Sequence, residues 1–366
     1  METDSYRIKN FDFFGEGETE FYDKFSIESV LIQGKHRETA PMVTVILPTY
    51  KRPDLLKQSL ESALNQVEFD DYQILIVDNE GADIEKETET AKLISHYQDE
   101  KIIYYRHRES VNFKMDYAVR LARSKWICFL HDDDILASNH LISMSKIIKE
   151  HRNIKFLSST FKHFFNTISD NEFATMTAPH KVLYQIKKYP KSYTCVGYFP
   201  SWVGAFIDRK AYISIGGMPT LHVGIGDYCM VGKFIYKYGT YEVKSSVPLY
   251  FIRRWSGQVT ASGTEMWRQA YINEYNYHIY VTRKYHKIFC DFWNRISAYR
   301  ILEKCESLNR SYYHTAIDLD NFVQECHMQS DILEKGKLYK RDVIWQTLYE
   351  QCIEKFCFPI KYKGEI

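Results

Sequence analysis

The sequence predicts an α/β fold with a mostly parallel sheet flanked by helices. Three observations carry this expectation. Short unbroken apolar runs recur at 43–47 (VTVIL), 74–77 (ILIV), 102–105 (IIYY) and 126–130 (WICFL), as suits strands buried on both faces. Helical periodicity fills the gaps between them. Strands and helices alternating at this pitch make βαβ units.

Taken in order, residues 1–41 read as an N-terminal arm, punctuated by Gly15, Gly17 and Gly34, that packs on the main domain. Pro48 closes the first run. Pro53 then suits a first helical turn, and Leu55, Leu56, Leu60, Ala63 and Leu64 recur at helical spacing. Helices are expected over 84–97 and 112–123. Beyond 137 the pattern loosens: a helix over 139–150, strand-like runs at 155–159, 182–186 and 203–207, a short helix after Asp208, the turn Gly216-Gly217, a helix over 227–238 and a strand over 247–252. No Gly or Pro occurs between Gly263 and Gly336, which predicts a helical C-terminal region over 263–366. The main domain is therefore expected over 42–262.

Composition narrows the function. The chain has 366 residues, with 48 Lys+Arg against 47 Asp+Glu and a net charge of +1. That balance argues against a chain whose main work is wrapping nucleic acid. No apolar run approaches the ~20 residues a bilayer span needs, and the N-terminus lacks a leader's apolar core. The expected location is cytoplasmic, free or peripheral at the inner face of the membrane. Eight cysteines without a C-x-x-C pair read as reduced thiols rather than a zinc site. Aromatic residues make up 16%, with 29 Tyr and 22 Phe. Such rings fill a core and also stack on sugars and bases.

In a doubly wound sheet, ligands bind at the carboxyl ends of the strands. There the sequence places Pro48, Thr49 and Tyr50, then Asp78 and Asn79, then Arg106, His107, Arg108 and Asn112, then His131-Asp132-Asp133-Asp134. Three adjacent carboxylates repel one another. A divalent cation relieves that repulsion, and such ions reach proteins through one or two carboxylates plus substrate phosphates. The triplet therefore predicts Mn²⁺ or Mg²⁺ and a phosphate-bearing substrate; its bland reading is a helix cap. Asp78 either reads a nucleoside or starts a turn. Arg106 and Arg108 either bind a diphosphate or form a solvated face. Dehydrogenases and P-loop NTPases are disfavoured, because neither G-x-G-x-x-G nor G-x-x-x-x-G-K-[ST] follows the first strand.

The ordered segments VTVILPTYKRPDLLKQSLESALNQ, ILIVDN and WICFLHDDDIL resemble the family 2 glycosyltransferases of the GT-A fold, over about residues 42–260. The resemblance implies a nucleotide-sugar donor, most commonly a UDP-sugar. It gives the nucleoside side to Pro48, Thr49, Tyr50 and Asp78, joined by Arg52 and Asn112. Asp132 and Asp133 fall to ribose, and Asp134 with Asp132 to the metal. Ser201-Trp202-Val203-Gly204 resembles the family's acceptor loop, where Trp202, Tyr198 and Phe199 either stack on a sugar or pack the core. Asp227, opening a helix after Gly216-Gly217, takes the place of the catalytic base, although a helix-start Asp is commonly a cap. Arg253, Arg254, Trp255 and Thr260 match the strand end that faces the diphosphate. Three departures stand out: His131 where many members carry Asp, Gly226 where Glu commonly precedes the base, and Trp255 where His is common.

These matches imply inverting, metal-dependent transfer to a hydroxyl of a saccharide or lipid-linked acceptor, in assembly of a bacterial-type surface polysaccharide. A nucleotidyltransferase of related fold would bring a glycine-rich phosphate loop, which Lys51-Arg52-Pro53 lacks. A non-catalytic nucleotide-binding module would not need Asp227. The rings and basic residues of the C-terminal region, such as Trp267, Tyr271, Arg283 and Lys284, suit a membrane surface, a homodimer contact or packing on the catalytic domain.

Overall fold

A computed structural model of the chain describes residues 21–22, 24–81, 83–111, 114–165, 167–189, 200–218, 226–255 and 358–365. Thirteen strands are described: β1 Ser29–Gln33, β2 Val43–Thr49, β3 Tyr72–Asp78, β4 Ile102–His107, β5 Trp126–Phe129, β6 Ile135–Leu136, β7 Phe156–Ser158, β8 Phe161–Phe165, β9 Leu183–Tyr189, β10 Phe206–Asp208, β11 Thr240–Ser245, β12 Tyr250–Arg254 and β13 Phe358–Glu365. The helices are α1 Pro53–Leu64, α2 Glu89–Ser95, α3 Lys114–Leu121, α4 His140–Glu150, α5 Asp170–Thr177, α6 Arg209–Ser214 and α7 Gly226–Tyr238.

Ten strands form one sheet in the order β1-β4-β3-β2-β5-β10-β7-β11-β9-β13, and β6-β12-β8 form a second. The four expected strands pair in parallel as β4-β3-β2-β5. Beyond β5 the sheet is mixed: β10 runs antiparallel to both neighbours, and β11 is parallel to β7 but antiparallel to β9.

Every residue of β2 and β3 is buried, because helices cover both faces. Alternation along β2 sends Val43, Val45 and Leu47 to one side, with Leu56 and Leu60 of α1 and Met144 of α4. Ile46 goes to the other side, with Ala118 of α3, Tyr212 of α6 and Phe234 of α7. Each fully buried leucine contributes about 1.5–3 kcal/mol. Local chemistry sets the helix starts. Pro53 opens α1, the Thr88 side chain accepts from Ala91 N–H to cap α2, and Asp208 does the same for α6 through Ala211 N–H.

The described part of the N-terminal arm is joined to this core. Its β1 pairs antiparallel with β4 at the sheet edge. Beside it, Lys24 Nζ donates to Asp116 Oδ2 of α3 at 2.6 Å, to Gly216 O at 2.6 Å and to Met218 O. Asp116 is wholly buried and also accepts from Tyr212 Oη and Met218 N–H. Gly217 is required here: its φ is +66°, and a Cβ would lie 2.5 Å from Asp116 Oδ1.

The helical expectation for 263–366 needs one correction. Phe358–Glu365 is a strand that pairs antiparallel with β9, so the last stretch extends the main sheet. Pro359 and Gly364 disfavour a helix there. The rest of 263–357, and the rings expected to face a membrane or partner, lie outside the described residues.

Candidate active site

The site lies where β2, β5 and β12 deliver their polar ends. The loop after β5 is drawn in by named donors. Thr49 Oγ1 donates to Asp132 Oδ2 at 2.9 Å, and Tyr50 N–H donates to the same oxygen at 3.4 Å. Arg52, at the start of α1, sets Nη1 3.5 Å from Asp132 Oδ1 and 3.7 Å from Asp133 Oδ2. From β12, Tyr250 Oη donates to Asp134 Oδ2 at 2.8 Å and Arg253 N–H donates to Asp134 Oδ1 at 2.9 Å. Trp255 Nε1 donates to Asp133 Oδ2 at 3.0 Å, and its ring carries the Arg52 guanidinium at 5.4 Å.

All three aspartates are buried. Burial, then the charge of Asp133, pushes the Asp134 carboxyl up to about 8. The same two causes raise Asp132, with Arg52 and the Thr49 hydroxyl pulling it back. Lys114, opening α3, sits in the field of Asp132, Asp133 and Arg52, and burial lowers its ammonium. Burial pushes the His131 imidazole down to about 4.

His131, Asp133 and Asp134 each offer a ligand atom within 4.8 Å of the others. Two carboxylates that repel one another, with an imidazole beside them, fit a divalent cation. Asp132, expected among the metal ligands, is not in that group. Its carboxylate instead accepts from Thr49 and Tyr50 at the end of β2.

The remaining expected residues divide. Asp78 is fully buried; Tyr104 Oη donates to Oδ2 and Glu80 N–H to Oδ1, both at 2.9 Å. Burial raises its carboxyl, and Tyr104 works against that rise. Pro48 lies within buried β2, while the Tyr50 ring is exposed. Asn112, Tyr198, Phe199 and Thr260 lie outside the described residues. Buried Arg106 donates to the carbonyls of Asp83, Ile84 and Lys86, and Arg108 forms an exposed ion pair with Glu28. Arg253 is buried: its Nε donates to Asp133 O, and Phe164 lies under its guanidinium. Arg254 is exposed and donates to His163 Nδ1.

Asp227 opens α7 and is exposed. Trp202 Nε1 donates to its Oδ2 at 3.0 Å, and the Trp202 ring meets the edge of His131 at a centroid distance of 5.1 Å. Asp227 thus stands one indole away from the acidic cluster. Gly204 has φ +67°, and a Cβ there would lie 2.4 Å from Tyr250 Cδ2; it keeps room for the tyrosine that holds Asp134. Two contributors escaped sequence reasoning. Lys114 is an ordinary helix-start lysine by sequence, and Tyr250 reads as core inside a buried strand.

Among the described residues, no helix is long and apolar enough to cross a membrane. The model of glycosyl transferase family 2 matches residues 44–215. An uncharacterized glycosyltransferase of Methanocaldococcus jannaschii is 33% identical over 124 residues, 32% of this chain and 41% of that protein. A GalNAc(5)-diNAcBac-PP-undecaprenol beta-1,3-glucosyltransferase of Campylobacter jejuni is 28% identical over 115 residues, 30% of this chain and 35% of that protein. The chain thus spans well under half the length of these relatives. Among solved structures, TarS 1-349 of S. aureus in complex with UDP-GlcNAc superposes with a TM-score of 0.55 at 13% identity, covering 86% of this chain and 92% of that one. The fold is therefore GT-A, and residues 44–215 match the model of glycosyl transferase family 2.

Proposed function

We propose that the chain is an inverting, metal-dependent glycosyltransferase that moves a sugar from a nucleotide sugar, a UDP-sugar by preference, to a hydroxyl of a saccharide or lipid-linked acceptor in surface polysaccharide assembly. One observation carries the reading. The exposed Asp227 carboxylate accepts from Trp202, whose ring contacts His131, the residue that leads into the Asp132–Asp133–Asp134 loop. A phosphate-binding acidic cluster and a separate base beside it are what a single-displacement transfer needs. The relatives support the donor and acceptor classes: TarS is described in complex with UDP-GlcNAc and with UDP, and the Campylobacter enzyme is named for an undecaprenol-linked acceptor.

In this mechanism Asp78, Thr49 and Tyr50 line the nucleoside end of the donor, and Asp132 stands next to the ribose. Asp133 and Asp134 would hold the cation. A bound divalent cation supplies Lewis-acid neutralisation of the leaving diphosphate. Arg52 and Lys114 add positive charge on the same side. Asp227 accepts the proton of the acceptor hydroxyl as that oxygen attacks the anomeric carbon. The C1–oxygen bond to the acceptor forms as the C1–oxygen bond to the diphosphate breaks, so configuration inverts. Trp202 fixes the Asp227 carboxylate through its N–H. The protein acts in the cytoplasm or peripherally at the inner face of the membrane.

The test is a thermal-shift panel of nucleotide sugars with and without Mn²⁺, followed by Asp227→Asn. The reading expects metal-dependent stabilisation by at least one donor, retained in the variant, with transfer lost. No stabilisation by any donor would count against it. Full transfer by Asp227→Asn would remove Asp227 as base.

A further inference from the structure

We propose that His131 ligates the divalent cation directly through its imidazole, so that this chain favours Mn²⁺ and the later transition-metal ions over Mg²⁺. The inference rests on the metal-dependent reading above and goes beyond it by assigning a nitrogen ligand. His131 Nδ1 lies 3.5 Å from Asp134 Oδ2. That is long for an N–H···O hydrogen bond but suits two ligands on one ion at about 2.1 Å each. The Asp133 carboxylate completes a three-residue group spanning 4.8 Å.

The surroundings are built to orient this set. Tyr250 Oη and Arg253 N–H each take one Asp134 oxygen, which uses two of the roughly four lone-pair sites of a carboxylate. The His131 backbone N–H donates to the Tyr250 oxygen at 3.3 Å, so one tyrosine ties both proposed ligands together. Trp202 stands against the imidazole edge and restricts its swing. Partners that orient metal ligands in this way are an outer shell. The imidazole is a third exposed, so an ion can reach it from the donor side. Imidazole suits Zn²⁺, Cu²⁺, Ni²⁺ and Fe²⁺, whereas Mg²⁺ prefers oxygen and keeps its waters. Mn²⁺ accepts both.

The experiment uses the full chain with Mn²⁺ alone and reads ¹⁴N modulation by pulsed EPR. Wild-type protein is expected to show modulation from a directly bound imidazole. His131→Ala is expected to lose it and to bind Mn²⁺ at least about tenfold more weakly, as loss of a contact supporting the ion does. His131→Asp is expected to lose the modulation while raising Mg²⁺ affinity relative to Mn²⁺, and it serves if the alanine variant folds poorly. Bound Mn²⁺ without ¹⁴N modulation in wild type overturns the proposal, as does modulation that persists in either variant. Thermal shift with UDP-sugars and Mg²⁺ separates the two readings. If donors still stabilise the protein, only the histidine assignment falls; if neither metal nor donor binds, both fall.

Discussion

Replacing Lys24 by methionine removes one ammonium and leaves a carboxylate stranded. Asp116 is wholly buried, and Lys24 is the cation paired with it, at 2.6 Å. Tyr212 Oη and Met218 N–H still donate to Asp116, but neither carries charge. The Gly216 and Met218 carbonyls lose the same donor. Breaking one side of a buried pair costs about 3–5 kcal/mol, a large part of the ~5–15 kcal/mol that holds a typical domain together. Removing both charges is far milder, because no ion is then left dry. Lys24→Met with Asp116→Asn should therefore recover most of the loss, with a coupling energy of about 2 kcal/mol or more.

The pH dependence has a definite sign. Burial raises the Asp116 carboxyl in the folded state, and Lys24 pulls it back down. Without Lys24 the folded carboxyl rises further above its unfolded value. Its folded state then holds the proton more tightly, so the variant loses stability as pH rises and regains it in acid. Urea melts of the four proteins of the cycle at several pH values test this. A single-variant cost below about 1 kcal/mol, as for exposed ion pairs, would refute the reasoning, and so would additive costs.

Other expectations concern the site and the core. Asp227→Asn should lower turnover about 10²–10⁴-fold with donor affinity intact, measured by steady-state kinetics against equilibrium donor binding. Trp202→Phe keeps the ring but removes the N–H bound to Asp227; turnover should fall by about tenfold, the worth of about 1.4 kcal/mol, at unchanged donor binding, and an unchanged turnover would show that this contact does not position the base. Gly204→Ala should destabilise by about 1–3 kcal/mol, because its Cβ meets Tyr250 at 2.4 Å, and should weaken Mn²⁺ binding through Asp134 in a titration. Burial holds His107 and His140 down at about 4. Unfolding lets each bind a proton below about 6.5, so stability should drop as pH falls from 6.5 towards 4. His107→Gln should flatten that slope in urea midpoints; an unaltered slope would show that His107 does not contribute.

The sequence was readable where one local pattern decides the outcome. Unbroken apolar runs at β2, β3, β4 and β5 can only be satisfied between two helical layers, and the polar residues ending them must fall on one edge. The Asp132–Asp134 loop followed from that logic, whereas Asp227 was singled out only by the family resemblance. The mixed half of the sheet was harder, since β7 and β10 are three residues each and carry little periodicity. The division of labour inside the site was illegible for a different reason. That Asp132 turns to Thr49 while Asp133 and Asp134 face His131 depends on donors from β2 and β12, which lie far away in sequence. The link from Trp202 to Asp227 joins a loop to a helix start whose approach no local pattern encodes, and Lys24 carries no signal of the buried aspartate it will meet.

The last strand sets an order of events during synthesis. β9 pairs with β11 on one side and with β13 on the other, so Lys188 waits for Phe358 and Leu183 for Glu365. The parallel strands β2 to β5 have emerged from the ribosome long before then and can assemble first. Throughout that interval β9 presents a bare rim of backbone donors and acceptors, which any passing strand can extend. A nascent chain halted before 358 therefore leaves β9 open as a template, and β13 acts as its seal.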